Sequence, residues 1–259
     1  MTQADTAAAG VPSALRGDEQ RYGQTVINAL AGRLDAVLER VAAACTAAGR
    51  SRTDVQVLVA TKTQPAELIR ELFALPAAAG LLRGENRVQE LVAKGPALAD
   101  LGVTTHLIGP LQSNKINAAL RWVSGVESVA SLELAAAIAR RLEPGRVLDV
   151  MVQVNVSAEP TKSGVDPSDA LAVAEQVAGL PGLRLTGFMT IGANTPDLDV
   201  VRAGYAQLRS LRDAALARGF ADATALSMGM TNDLEAAIAE GATIVRVGTA
   251  IFGPRAPTP

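Results

Sequence analysis

Between Tyr22 and Ala48 the apolar residues Val26, Leu30, Leu34, Val37, Leu38 and Val41 recur at intervals of three and four, the spacing that stacks side chains on one face of a helix. Beyond that segment the pattern changes. Short β-rich runs at residues 55–60, 80–84, 104–108, 125–129, 147–155, 184–191, 224–228 and 243–247 alternate with stretches of helical periodicity. The run at 80–84 has the thinnest apolar signal and rests mainly on the spacing either side of it. Strands that alternate with helices imply a parallel sheet, and this number of units suits a single-domain (βα)8 TIM barrel preceded by an N-terminal helix. A doubly wound open sheet shares the same local pattern and stands as the alternative. Residues 1–20, an Ala, Thr and Gly mixture without periodicity, read as a flexible tail. No Pro- or Gly-rich linker divides the rest of the chain, so one domain is expected over residues 21–255.

Composition narrows the function classes. A chain of 259 residues that is 49% hydrophobic can bury a sizeable core, and a formal charge of -2 is too balanced for general counterion-release binding to nucleic acid or acidic membranes. With Cys45 and His106 each the only residue of its type, an internal disulfide, a dithiol centre and His-rich metal sites are excluded. The longest stretch free of charged residues, 101–114, is too short and too polar to span a bilayer. The first residues carry neither a basic segment nor a leucine-rich core of a secretory signal, so a cytoplasmic protein is expected.

If the strands close into a barrel, chemistry belongs where strands end and helices begin. Lys62 ends the first run in Leu58-Val59-Ala60-Thr61-Lys62-Thr63. A lysine there either snorkels to solvent or, partly desolvated, has its pKa lowered and becomes nucleophilic enough to form an imine with an aldehyde. The segment Ser227-Met228-Gly229-Met230 precedes a helix start at which Asn232 and Glu235 have capping-box spacing and Gly241 supplies the stop. Asp233 and Glu235 already place negative charge there, which directs any anion towards Ser227 and Gly229. The last run ends Arg246-Val247-Gly248-Thr249, with no acidic residue nearby, and the turns after the seventh and eighth strands together suit a phosphate cup or an ordinary pair of tight turns. Arg246, buried by alternation, needs a partner such as Glu85 or a ligand atom. His106 reads as a hydrogen-bonded core residue.

Seven segments in order, Thr61-Lys62-Thr63, Gly84-Glu85-Asn86-Arg87-Val88-Gln89-Glu90, residues 106–115, Lys162-Ser163-Gly164, Gly187-Phe188-Met189-Thr190-Ile191, Ser227-Met228-Gly229-Met230 and residues 246–253, together resemble the pyridoxal phosphate homeostasis protein family. The resemblance implies the barrel of the alanine-racemase N-terminal kind (PLP fold-type III). It also implies pyridoxal 5′-phosphate (PLP) as cofactor, held as an aldimine on Lys62. By the same likeness Ser227, Gly229, Gly248 and Thr249 hold the phosphate, Arg246 faces the pyridine nitrogen, and Asn86 and Met189 line the pocket. Leu82-Arg83 stands where the family usually has an aromatic residue, a departure on the second-strand side of the pocket.

Racemisation on PLP requires a proton acceptor on each face of the substrate carbon. Neither Tyr22 nor Tyr205 falls at an expected strand end, and only Pro254 to Pro259 follow the last strand. The expected function is intracellular PLP homeostasis without strong turnover and without a catalytic residue. An amino-acid racemase of fold-type III and a cofactor-free Schiff-base aldolase using Lys62 are the alternatives. Expected partners are PLP itself and PLP-dependent apo-enzymes or B6 salvage enzymes, with no nucleic acid, no membrane and a monomeric state. Lys115 and Lys162, both in expected loops, are candidates for a secondary PLP site.

Overall fold

A computed structural model describes residues 22–157, 159 and 163–253. The tail expected at residues 1–20 lies outside the described residues, as does Lys162. Strands β1 (Gln56–Ala60), β2 (Leu82–Glu85), β3 (Thr105–Leu107), β4 (Gly125–Val129), β5 (Leu148–Gln153), β6 (Leu183–Met189), β7 (Ala225–Ser227) and β8 (Ile244–Val247) pair in parallel, in chain order, as a closed barrel. Closure decides between the two expected arrangements. Gln56 through Val59 pair with Ile244 through Val247, so the open sheet is excluded and no edge is left for another chain to extend.

The period-2 alternation of each strand sorts side chains into two cores. Val57 and Val59 face the surrounding helices, whereas Leu58 joins Leu82, Met151, Met189 and Ile244 in a small plug inside the barrel. Large residues meet small ones there: a Cβ on Gly84 would stand 2.1 Å from Leu58 Cδ2. The thin signal of the second run has a physical cause. Where β1 turns valines outward, β2 turns out Arg83, opposite Val59, and Glu85, both buried, and Arg83 Nε donates to Thr105 Oγ1 of β3 at 2.9 Å.

Around the strands run α2 (Ala66–Phe73), α3 (Val88–Leu98), α4 (Ile116–Leu120), α5 (Leu132–Ala139), α6 (Ala170–Ala178), α7 (Leu198–Ala217), α8 (Leu234–Ala239) and the single-turn α9 (Thr249–Phe252). Such a short α9 cannot cover the seam between β8 and β1. The N-terminal helix α1 (Gln24–Ala47) packs there, burying Leu30, Leu34, Val37, Val41 and Cys45 against α8 and α9. Arg33 Nε of α1 donates to the Ile251 carbonyl at 2.6 Å, and Arg40 pairs with Glu235 at 2.8 Å. That second contact corrects the expected capping box. Asp233, not Asn232, precedes α8 without a side-chain cap, because Glu235 turns away to α1. Gly241, with φ +98°, does end the helix as expected. Among the described residues no helix is long and apolar enough to cross a membrane, and no cluster of His, Cys, Asp and Glu could hold a metal ion.

Candidate functional site

Lys62 lies two positions past the end of β1, half-buried, in a tight turn. The next residue, Thr63, has φ +64°, the only non-glycine positive φ among the described residues. A side chain in that region is held there by its surroundings. Thr61 Oγ1 donates to Glu85 Oε1 at 2.7 Å, Lys94 Nζ donates to the Thr61 carbonyl at 2.9 Å, and the Thr63 N–H donates to Glu90 Oε2 at 2.6 Å. Lys94 also bridges Glu85 and Glu90, at 3.0 and 2.9 Å. Burial pushes the Glu90 carboxyl up, but the Thr63 N–H and the Lys94 ammonium outweigh it and hold the group below the ordinary glutamate range.

The alternative partner considered for Arg246 is corrected by this arrangement. Glu85 faces out of the barrel and pairs with Lys94, so Arg246 inside the barrel finds other partners. Its Nη1 donates to Ser227 Oγ at 2.8 Å and its Nη2 to the Thr190 carbonyl at 2.7 Å. Ser227 Oγ in turn donates to Glu127 Oε2 at 2.6 Å, and the other oxygen of Glu127 lies 2.8 Å from His106 Nδ1. His106 is thus the hydrogen-bonded core residue expected of it. Burial lowers the pKa of Arg246, and the negative charges of Glu127 and Asp233 oppose that loss. Two of its five N–H donors are engaged, which leaves part of the planar fork for an acceptor.

The phosphate-cup candidates sit beside this network. Gly229, with φ +87°, accepts the Arg246 backbone N–H at 3.0 Å, and a Cβ on it would lie 2.4 Å from Ala237 Cβ. A Cβ on Gly248 would lie 3.0 Å from the Ala60 carbonyl oxygen, so the β8 turn backs directly onto the end of β1. Thr249 opens α9 and is exposed. Ser227 stands differently from the others, since its hydroxyl gives its hydrogen to Glu127 and takes one from Arg246. In this arrangement the hydroxyl orients the guanidinium and offers no donor to an anion. Asp233 is folded back, accepting from the Met230 N–H at 2.5 Å and from the Tyr205 hydroxyl at 2.7 Å. Burial, reinforced by Asp233, pushes the Tyr205 phenol well above its ordinary range.

Asn86 follows β2, half-buried, and lines a cleft of about 570 Å³ with Glu90, Pro110, Gln112 and Lys115. Met189 is fully buried in the interior plug, next to Ser227 in the β6–β7 register. Direct contacts therefore unite Ser227, Gly229 and Arg246, Gly248 joins them to the strand that carries Lys62, and Asn86 and Lys115 share the neighbouring cleft. Sequence reasoning gave no role to Glu127, Thr190 or the Glu90–Lys94 pair, and set Tyr205 aside without seeing its contact with Asp233. Glu127 left a signal, a carboxylate amid the valines of Gly125-Val126-Glu127-Ser128-Val129. Tyr205 left none, because only tertiary packing brings the middle of α7 to the turn after β7.

The profile of the alanine racemase N-terminal domain family matches residues 33–256. A pyridoxal phosphate homeostasis protein of Pseudomonas aeruginosa is 43% identical over 232 residues, covering 88% of this chain and 97% of that protein. Another, from Aquifex aeolicus, is 41% identical over 225 residues, with 86% and 97% covered. The solved structure of PipY from Synechococcus elongatus, with PLP bound, superposes with a TM-score of 0.70 at 38% identity, covering 77% of this chain and 93% of PipY. Alanine racemase from Corynebacterium glutamicum shares the fold, at 16% identity and a TM-score of 0.67, over 88% of this chain and 62% of the racemase.

Proposed function

The chain belongs to the alanine racemase N-terminal domain family and, within it, to the pyridoxal phosphate homeostasis proteins, and from that premise we propose that it binds pyridoxal 5′-phosphate covalently through Lys62 and holds it for delivery without sustained turnover. The residues present fit that group. A PLP site needs an amine for the aldehyde carbon, a partner for the ring nitrogen and backbone-lined turns for the phosphate. Lys62, Arg246 and the turns at Gly229 and Gly248 answer those needs, and the two glycines stand where a Cβ would collide with Ala237 or crowd Ala60. The close backing of Gly248 on Ala60 is the observation that carries the reading, because it sets the cup beside the strand that bears the lysine.

When bound, the cofactor supplies a reactive aldehyde and an electron-withdrawing ring. Lys62 would hold the aldehyde carbon. Gly229, Gly248 and Thr249 would hold the phosphate through backbone amides and a hydroxyl, with Ser227 fixing Arg246 beside them. Arg246 would face the ring nitrogen as a hydrogen-bond donor that keeps its proton, which leaves the ring a weaker electron sink than an acidic partner would. Asn86 and Met189 would complete the walls. Tyr205 is no candidate for a second proton acceptor, because it is buried, bound to Asp233 and held in its neutral form. This favours storage and transfer, with PLP-dependent apo-enzymes or B6 salvage enzymes as recipients.

The test is spectroscopic. Incubation with PLP should raise a band at about 420 nm, and borohydride reduction with peptide mapping should place the label on Lys62. A label spread over surface lysines that survives Lys62→Ala would overturn the reading. Steady racemisation of an amino acid by the loaded protein would move the enzyme reading, which the shared alanine-racemase fold keeps in view, to the front.

A further inference from the structure

The peptide groups on both sides of Lys62 are tied to one helix. The carbonyl before it, on Thr61, accepts from Lys94 Nζ at 2.9 Å, and the N–H after it, on Thr63, donates to Glu90 Oε2 at 2.6 Å. Lys94 and Glu90 stand four residues apart on α3 and pair with each other at 2.9 Å. Beneath them Glu85 is fully buried, takes the second bond of Lys94 and takes the Thr61 hydroxyl hydrogen, so the same ammonium also fastens the end of β1 to β2. The turn they hold contains the φ +64° residue Thr63, a sparsely populated conformation that persists where surrounding contacts hold it, here the α3 pair together with the turn's own Gln64 N–H to Thr61 carbonyl bond at 3.1 Å.

We propose that Glu90 and Lys94 are positioning residues for Lys62, a charged clamp that grips the backbone on either side of the lysine and so sets where its amine is presented. The proposal rests on the reading of Lys62 as the PLP-binding residue. Neither clamp residue needs to touch the cofactor, since both act through the turn. Their own burial supports a mechanical role: the Lys94 side chain is 11% exposed and that of Glu90 22%, so neither is the solvated charge that most helix lysines and glutamates present.

The two residues differ in what their loss does. Removing Lys94 takes from the buried Glu85 its only ion-paired partner, leaving the Thr61 hydroxyl and the field of Arg83, and Lys94→Met can therefore fail to fold for reasons unrelated to Lys62. Glu90→Ala avoids that, since Lys94 keeps Glu85 and the Thr61 carbonyl. Glu90→Gln retains an acceptor for the Thr63 N–H and is the conservative rescue. In the full-length protein, Glu90→Ala should slow covalent capture of PLP by about tenfold, in line with the cost of misplacing a reacting group, while Glu90→Gln recovers most of the rate and the melting temperatures stay close. A second readout needs no cofactor. The protein is produced with lysine labelled with 13C at Cε, which leaves the three donors of Lys94 intact, the Lys62 resonance is assigned with Lys62→Arg, and its pH titration is followed by NMR.

Glu90→Ala should move the Lys62 titration or broaden its resonance, and Glu90→Gln should restore it. Capture at the wild-type rate together with an unchanged Lys62 resonance in Glu90→Ala overturns the clamp. If wild-type protein fails to capture PLP on Lys62, the functional reading falls, and the NMR arm still decides the clamp alone.

Discussion

Replacing Glu127 by glutamine tests whether the barrel interior is held by charge. Its carboxylate accepts from Ser227 Oγ at 2.6 Å and lies 2.8 Å from His106 Nδ1, while Arg246 donates to that same serine oxygen. Glu127 is 1% exposed and Arg246 6%, so water cannot take over either role. Glu127→Gln keeps the shape, turns one acceptor into a donor facing His106 or Ser227, and takes from the guanidinium the stronger of its two carboxylate counter-charges, leaving Asp233. A lost hydrogen bond to a charged group costs about 1.5–3 kcal/mol, and an unpaired buried charge about 3–5 kcal/mol. The two overlap here, because Arg246 reaches Glu127 only through Ser227, so a net loss of about 3 kcal/mol is expected. At roughly 2–4 °C per kcal/mol for a domain of this size, the melting temperature should fall by about 6–12 °C. Thermal and urea unfolding measure it, with Arg246→Met and the double variant completing a cycle. The double variant should be markedly less unstable than the sum of the singles, since removing both charges removes the penalty that each single leaves behind. A Glu127→Gln melt within about 2 °C of wild type, or strictly additive losses, would refute the account of charge pairing.

Tyr205→Phe should cost about 1 kcal/mol near neutral pH, because Asp233 keeps the Met230 N–H and is open enough for water to replace the phenol. Folding raises the Tyr205 pKa, so its contribution is fully present below the ordinary phenol value of about 10 and is lost as the pH rises through the folded value. The stability gap between wild type and Tyr205→Phe should therefore shrink above about pH 10 in denaturant titrations, and a gap that widens there would contradict the assignment. Gly84→Ala drives a methyl to 2.1 Å from Leu58 Cδ2 and should cost about 1–3 kcal/mol by overpacking. Adding Leu58→Ala should cost less in that background than in wild type, as read by urea midpoints.

What the chain disclosed early was what periodicity encodes. Eight apolar runs became eight strands, and the ladder from Val59 to Val247 only confirmed a closure that the unit count had favoured. The placement of candidate residues was legible where a strand end decides it: Gly229 and Gly248 fall in the turns after β7 and β8, and Lys62 falls after β1. It was illegible where a side chain serves from another element. Arg246 is an example, since burial could be inferred from alternation, but the choice of Ser227 and Thr190 over Glu85 depends on which face of the barrel each occupies. The same parity rule could have settled it. Glu85 falls one residue after the inward Gly84 and must point out, whereas Arg246, paired with the inward Leu58, must point in.

The supports of the site divide along the chain. The lysine turn is gripped by α3 through Glu90 and Lys94, whereas the cup turns are braced from elsewhere, by Tyr205 of α7 through Asp233 and by Arg33 and Arg40 of α1 through Ile251 and Thr231. If Lys62 and the glycine turns hold PLP as proposed, the two holds would have separate supports. For an enzyme that must keep its cofactor through many turnovers this separation has no evident use. For the storage and transfer proposed above it would matter, because the lysine turn and the glycine turns could then let go at separate points with the barrel and its plug left intact. The position of α1 follows from the same logic. A one-turn α9 leaves the β8–β1 seam uncovered, and the helix that covers it is the one whose arginines reach the two cup turns.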